Sequence, residues 1–256
     1  MIKPLKKFGQ NYLIDKNIIT KIISIIEPKK DDLIIEIGPG QGALTQYLAD
    51  SSAKIFAVEI DKRVIEQLKE KFENVTFINA DFLENDLRKF ESSSLRIVGN
   101  IPYNITSPII FKIFENNSII QDAVLMVQYE VAKRMIANIG TKDYGILSVL
   151  LKYFTDTELC FKVSPNVFYP KPKVYSAVVK MKIKECSDEI FNKTFINVVK
   201  AAFGNRRKIL KNSFSNSIFA QLNFEKSKID LSKRAEQLDL ADFIQLTNFI
   251  LDKSNI

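Results

Sequence analysis

Asp32-Leu-Ile-Ile-Glu36-Ile-Gly38-Pro-Gly40-Gln-Gly42-Ala43-Leu-Thr-Gln-Tyr-Leu48 decides the fold. Its first half is a short apolar run of the kind a buried strand carries. Its middle is a glycine turn, and 43–48 suits a helix. Downstream, Lys54-Ile-Phe-Ala-Val-Glu59 reads as a second strand, and Val64, Ile65, Leu68 and Phe72 mark the helix after it. The alternation continues with strands at 75–78, 95–98 and 123–128 and a helix at 131–139. Between them, Ile109, Ile110, Ile113 and Phe114 share a helical face, with Ser107 expected as cap and Pro108 as first helical residue. Upstream, Ile18, Ile19, Ile22, Ile23 and Ile26 fall at helical spacing behind a basic arm. Strands alternating with helices predict an α/β fold built on a parallel, doubly wound sheet.

Farther along, 158–163 and 176–183 look extended, and Val179, Met181 and Ile183 alternate with Lys180 and Lys182. That period of two predicts an antiparallel hairpin closing one edge of the sheet. Beyond Lys184 only helical patterns remain. The expected division is a larger domain at 1–184 and a small helical domain at 185–256.

Composition narrows the chemistry. Of 256 residues, 46% are hydrophobic and 26% charged, ordinary values for a globular chain. There is no run of ~18 uncharged apolar residues, so no membrane span is expected. The arm Met1-Ile-Lys-Pro-Leu-Lys-Lys7 lacks the apolar core of a signal peptide, so a cytoplasmic protein is expected. Cys160 and Cys186 are too few for a disulfide framework or a four-cysteine zinc site. Histidine is absent, which removes Ser-His-Asp catalysis and histidine-ligated metals, and no metal is expected. The 37 basic residues exceed the 30 acidic ones by 7, a modest excess that nucleic acid would satisfy and a lysine-rich surface would too.

The glycine loop follows a strand and opens a helix, where glycines allow φ > 0 and close approach of a ligand to the backbone. Glu59 ends the next strand, 21 residues after Gly38, where a carboxylate can hold ribose hydroxyls. No Gly-Lys-Ser/Thr follows, so the loop is not a Walker A site. It fits either a dinucleotide or a nucleoside without pyrophosphate such as S-adenosylmethionine.

Asn100-Ile-Pro102-Tyr103 follows the fourth strand and should lie at the carboxyl edge of the sheet, beside the glycine loop. These residues suit methylation of an exocyclic amine on a nucleobase. Such a nitrogen is a poor nucleophile because its lone pair is delocalised into the ring. Hydrogen bonds to the Asn100 side-chain oxygen and to the Ile101 or Pro102 carbonyl would pull it towards tetrahedral geometry. Tyr103 offers a face for a flipped base. A nicotinamide oxidoreductase would give this motif no task.

With these residues in place, the chain resembles the small-subunit (16S-type) ribosomal RNA adenine N6,N6-dimethyltransferases over nearly its whole length. The motifs are Lys6-Lys-Phe-Gly9-Gln-Asn11-Tyr-Leu13, the glycine loop, Asn100-Ile-Pro-Tyr-Asn104, Gln128-Tyr-Glu-Val-Ala-Lys-Arg134 and Tyr144-Gly-Ile-Leu-Ser148. Phe168-Tyr-Pro-Lys-Pro-Lys-Val174, Phe203-Gly-Asn-Arg-Arg-Lys208 and Arg234-Ala-Glu-Gln-Leu238 extend the match. Tyr12, Asn205 and Tyr175 depart from the family's usual Phe, Gln and Asp. The resemblance implies a Rossmann-like class I methyltransferase sheet and S-adenosylmethionine as methyl donor. It implies that Asn11, Leu13, Gly38, Gly40, Glu59, Asp81 and Asn100 contact the cofactor, Asp81 at the adenine amine. It also makes Asn100, Pro102, Tyr103 and Phe168 the catalytic set, with Phe168 as the wall opposite Tyr103. The implied reaction is dimethylation of two adjacent adenosines in a hairpin loop near the 3′ end of 16S rRNA during small-subunit biogenesis. The rivals are the 23S rRNA adenine methyltransferases of macrolide resistance and a non-catalytic RNA-binding relative.

Between Glu189 and Glu225 the chain has no acidic residue but carries Arg206, Arg207, Lys208 and Lys211. With Arg207 and Lys211 four apart on a helix, this block is expected to meet rRNA phosphates. The expected partner is the small ribosomal subunit, met by a monomer.

Overall fold

The computed structural model describes residues 3–5, 8–92, 94–205 and 207–254, the side chains of 225 and 254 excepted. In chain order the elements are β1 (Tyr12–Leu13), α1 (Lys16–Ile26), β2 (Leu33–Ile37), α2 (Thr45–Ala49), β3 (Lys54–Glu59), α3 (Lys62–Lys69), β4 (Val75–Asn79) and β5 (Leu95–Asn100). There follow α4 (Thr106–Glu115), β6 (Ile120–Gln128), α5 (Tyr129–Met135), α6 (Ile146–Phe154), β7 (Thr155–Val163), β8 (Phe168–Tyr169), β9 (Ser176–Ile183), α7 (Glu189–Phe203), α8 (Leu210–Ser215) and α9 (Leu240–Ser254). They form two compact units, Met1–Ala132 with Thr157–Ile183, and Lys133–Asp156 with Lys184–Ile256.

The first unit holds the sheet, in the order β4-β3-β2-β5-β6-β9-β7. Strands β2 to β6 run parallel, and β9 pairs antiparallel with β6, from Asp122↔Lys182 to Gln128↔Ser176. The two segments expected to pair at one edge of the sheet are neighbours there, with β7 outermost and β9 between it and β6. The apolar stretch Ala177–Val178–Val179 of β9 is fully buried. The order reverses between β2 and β5, which opens a crevice beyond their carboxyl ends. A separate two-stranded ladder joins β1 to β8 through Tyr12↔Tyr169 and Leu13↔Phe168.

Helix α1 starts at Asp15, whose side chain accepts from Ile18 N, and buries Ile19, Ile22 and Ile26. Its last carbonyls end on a buried cation. Arg96 on β5 donates to Ile26 O at 2.6 Å and Glu27 O at 3.3 Å, grips Asp122 on β6 with bonds of 2.9 and 2.8 Å, and pairs with Asp32 before β2. Helix α4 begins two residues earlier than expected. Its cap is Ile105, a 3-10 turn over Tyr103–Ile105 leads into it, and Ser107 and Pro108 lie inside the first turn.

The second unit packs α6, α7 and α9. Tyr153 packs tilted on Phe195 at 4.3 Å between ring centroids, and Phe203 stacks on Phe243 at 5.9 Å. Tyr144 Oη donates to Leu238 O at 2.9 Å. These contacts explain why 133–156 clusters with the C-terminal residues, where the sequence division into 1–184 and 185–256 has it in the larger domain. Among the described residues no helix is long and apolar enough to cross a membrane.

Candidate active site

A cavity of about 260 Å³ opens at the carboxyl ends of β2 to β5 in the first unit. Asn11, Leu13, Gly38, Gly40, Glu59, Asp81, Asn100, Pro102 and Tyr103 all line it. Residues far apart in sequence meet there because parallel strands deliver all their carboxyl ends to one edge.

The turn after β2 sets one wall. Gly38 has φ +64° and nothing within 4 Å of where a Cβ would be, so its backbone faces open cavity. Gly40, at φ +55°, would put a Cβ 3.0 Å from the Tyr12 ring. A side chain at either position would be strained. Beneath the turn, buried Glu36 accepts a hydrogen bond from Thr45 Oγ1 at 2.7 Å, and burial pushes its carboxyl up to about 7.

Glu59 ends β3 and is 6% exposed. It accepts from Asp61 N at 2.9 Å, and burial raises its pKa. Asp81 follows β4. Its Oδ1 accepts from Leu83 N at 2.8 Å, so it turns the local chain while facing the cavity.

Asn100, the last residue of β5, donates from Nδ2 to the carbonyl of Asn11 at 2.8 Å. This bond fixes the amide, since only the nitrogen can donate to a carbonyl, and Oδ1 becomes the outward acceptor. The Pro102 carbonyl accepts from Ile105 N at 3.2 Å. Tyr103 is partly buried, and its Oη lies 2.6 Å from Ser176 Oγ. Burial raises its pKa, so the phenol is neutral at physiological pH.

Several participants escape sequence reasoning. Gln10 Oε1 accepts from Leu5 N at 2.8 Å and from Tyr12 Oη at 3.0 Å, while its Nε2 donates to Asp61 at 3.2 Å. Arg63 pairs with Asp61 at 2.7 Å and holds that carboxyl below the usual range. This network pins the N-terminal arm over the cavity. Its one legible sign is Gln10 within the N-terminal motif.

Phe168 is not among the residues that line this cavity. It is 3% exposed in the core, paired across the ladder with Leu13, and strand alternation turns Tyr169 outward instead. In the second unit Arg207, Lys208 and Lys211 are exposed, while Arg206 lies outside the described residues, as do Lys6 and Lys7. Arg207 and Lys211 do not share a helix. α7 ends at Phe203 before Gly204, and Ile209 is extended, so α8 starts only at Leu210. Among the described residues no group of three His, Cys, Asp or Glu side chains could hold a metal ion.

The family model described as Ribosomal RNA adenine dimethylase matches residues 2–252. The chain belongs to that family. It is 42% identical, over 97% of its length and 98% of the relative's, to Ribosomal RNA small subunit methyltransferase A of Francisella tularensis subsp. novicida. Among solved structures, a dimethyladenosine transferase from Plasmodium falciparum superposes with a TM-score of 0.79 at 28% identity, covering 95% of this chain and 98% of that one. The 23S rRNA methyltransferase ErmE gives a TM-score of 0.67 at 26% identity, covering 93% and 98%. The methyl donor of this family is S-adenosylmethionine, and the cavity fits it. The carboxylate of Glu59 suits ribose hydroxyls, that of Asp81 suits an exocyclic amine, and the bare Gly38 backbone admits close approach.

Proposed function

We propose that this protein transfers methyl groups from S-adenosylmethionine to N6 of two adjacent adenosines in a hairpin loop near the 3′ end of 16S rRNA, dimethylating each during small-subunit biogenesis. It works as a cytoplasmic monomer. The observation that carries the chemistry is the bond from Asn100 Nδ2 to Asn11 O, which turns Oδ1 into a fixed acceptor at the cavity.

When bound, S-adenosylmethionine supplies an electrophilic methyl on a sulfonium. Gly38, Gly40, Glu59, Asp81, Asn11 and Leu13 hold it. Asn100 Oδ1 accepts one N–H of the target amine. The second acceptor is the carbonyl of Ile101 or of Pro102, the latter already accepting one bond from Ile105 N and keeping a second lone pair. Two acceptors on one amine pull the nitrogen towards tetrahedral geometry and take its lone pair out of conjugation with the ring. Tyr103 stacks the flipped base, and Pro102 fixes the turn that presents it. Phe168 serves this pocket from behind, by packing on Leu13. Arg206, Arg207, Lys208 and Lys211 meet rRNA phosphates.

The small-subunit assignment is supported by 42% identity over nearly the full length to a small-subunit enzyme, against 26% to the 23S enzyme. The test is incubation with labelled S-adenosylmethionine and separately purified, unmethylated small and large subunits. Label in the small subunit is expected. Label in the large subunit alone would move the assignment to the 23S type.

A further inference from the structure

A cation lies between two aromatic rings beside the proposed target pocket. Lys162 Nζ is 3.9 Å from the ring centroid of Tyr175 and 4.6 Å from that of Tyr129. Tyr129 N donates to Tyr175 O at 2.9 Å, which ties the two rings together at the end of the β6–β9 ladder. The next residue on β9 is Ser176, whose hydroxyl touches Tyr103 Oη at 2.6 Å. The cluster thus begins one residue from the side chain that would stack the target base.

Its surroundings suit a nucleic acid. No Asp or Glu occurs from Leu159 to Lys184. Tyr169 and Tyr175 are 53% and 49% exposed, and Lys162, Lys171 and Lys173 are exposed with them. Exposed rings interleaved with lysines are the composition of a single-strand platform, rings for bases and cations for phosphates. Ring faces hold an ammonium in place without neutralising it, so Lys162 keeps its charge for a phosphate.

We propose that Tyr129, Lys162 and Tyr175 form the subsite for the nucleotide next to the target adenosine. The exposed Tyr175 ring stacks that nucleotide's base, and Lys162 pairs with its phosphate. The assignment rests on the proposed rRNA methylation and extends it beyond the reacting base.

The test measures steady-state methylation of unmethylated small subunits, with anisotropy of a short fluorescent single-stranded RNA and calorimetry of S-adenosylmethionine. Tyr175→Ala and Lys162→Met should each raise KM for subunits and weaken the RNA roughly tenfold, with kcat and cofactor affinity unchanged. Lys162→Met should also flatten the salt dependence of RNA binding, and Tyr175→Phe should restore what Tyr175→Ala loses. An active wild type whose two variants match it in KM and RNA affinity overturns the subsite alone. So does a Tyr175→Phe variant as impaired as Tyr175→Ala. A wild type that methylates neither subunit overturns the proposed function and the subsite together.

Discussion

Asn100 is held by a single bond to a backbone carbonyl 89 residues away, and its usefulness comes from what that bond leaves over. Replacing it with Ala removes a positioned acceptor and nothing that the core needs. Single-turnover methylation by Asn100→Ala should fall by ~10²–10³, with the melting temperature close to that of the wild type. Glu59 acts on the cofactor instead. Glu59→Ala should weaken S-adenosylmethionine by roughly 1.5–3 kcal/mol in calorimetry, the range for lost charge-assisted hydrogen bonds. At this scale the glycine turn, Glu59, Asp81 and Asn100 are legible because their chemistry needs particular side chains at particular strand ends. The carbonyl of Asn11 is not, since every residue has one.

Among the elements, the buried guanidinium of Arg96 joins β5, β6, the entry to β2 and the end of α1. Removing it leaves Asp122, 6% exposed, without a counter-charge. Arg96→Met should therefore cost about 3–5 kcal/mol in denaturant unfolding, far more than an exposed arginine would. Nothing in the apolar run around Arg96 announces this, as one charge in a buried strand looks like an interruption. The strands themselves are legible from their apolar runs, and α1 from its isoleucines. Helix α6 is not. Its sequence Ile-Leu-Ser-Val-Leu-Leu-Lys-Tyr-Phe is apolar on nearly every side, so no 3.6-residue rhythm distinguishes it. The two-residue strands β1 and β8 are too short to carry any period.

For the molecule as a whole, pH and salt test different parts. The carboxyl of Glu36 sits at about 7 in the folded chain, above its usual 4.5. Below pH 4.5 both folded and unfolded chains hold this proton. Between pH 4.5 and 7 only the folded chain does, so this group's contribution to stability falls as pH rises, by on the order of 3 kcal/mol, and is flat above. Glu36→Gln should therefore lose less melting temperature across that window than the wild type. Salt reports on the second unit. Reversing Arg207 and Lys211 to Glu should weaken subunit binding and flatten its salt dependence without touching cofactor affinity. Equal binding at every salt concentration would make these residues a solvated surface only.

The membership of 133–156 in the second unit sets an order of events during synthesis. Helix α6 leaves the ribosome with Val149, Leu150, Leu151 and Phe154 ready for burial, yet the helices that cover them start at Glu189 and end at Ser254. Its apolar side therefore waits for about 100 further residues, roughly 5–20 s at ordinary translation rates. Through that interval a nascent chain already long enough to close the cavity carries an uncovered greasy helix, a natural handle for a chaperone. A chain stopped at Ile183 would carry it permanently.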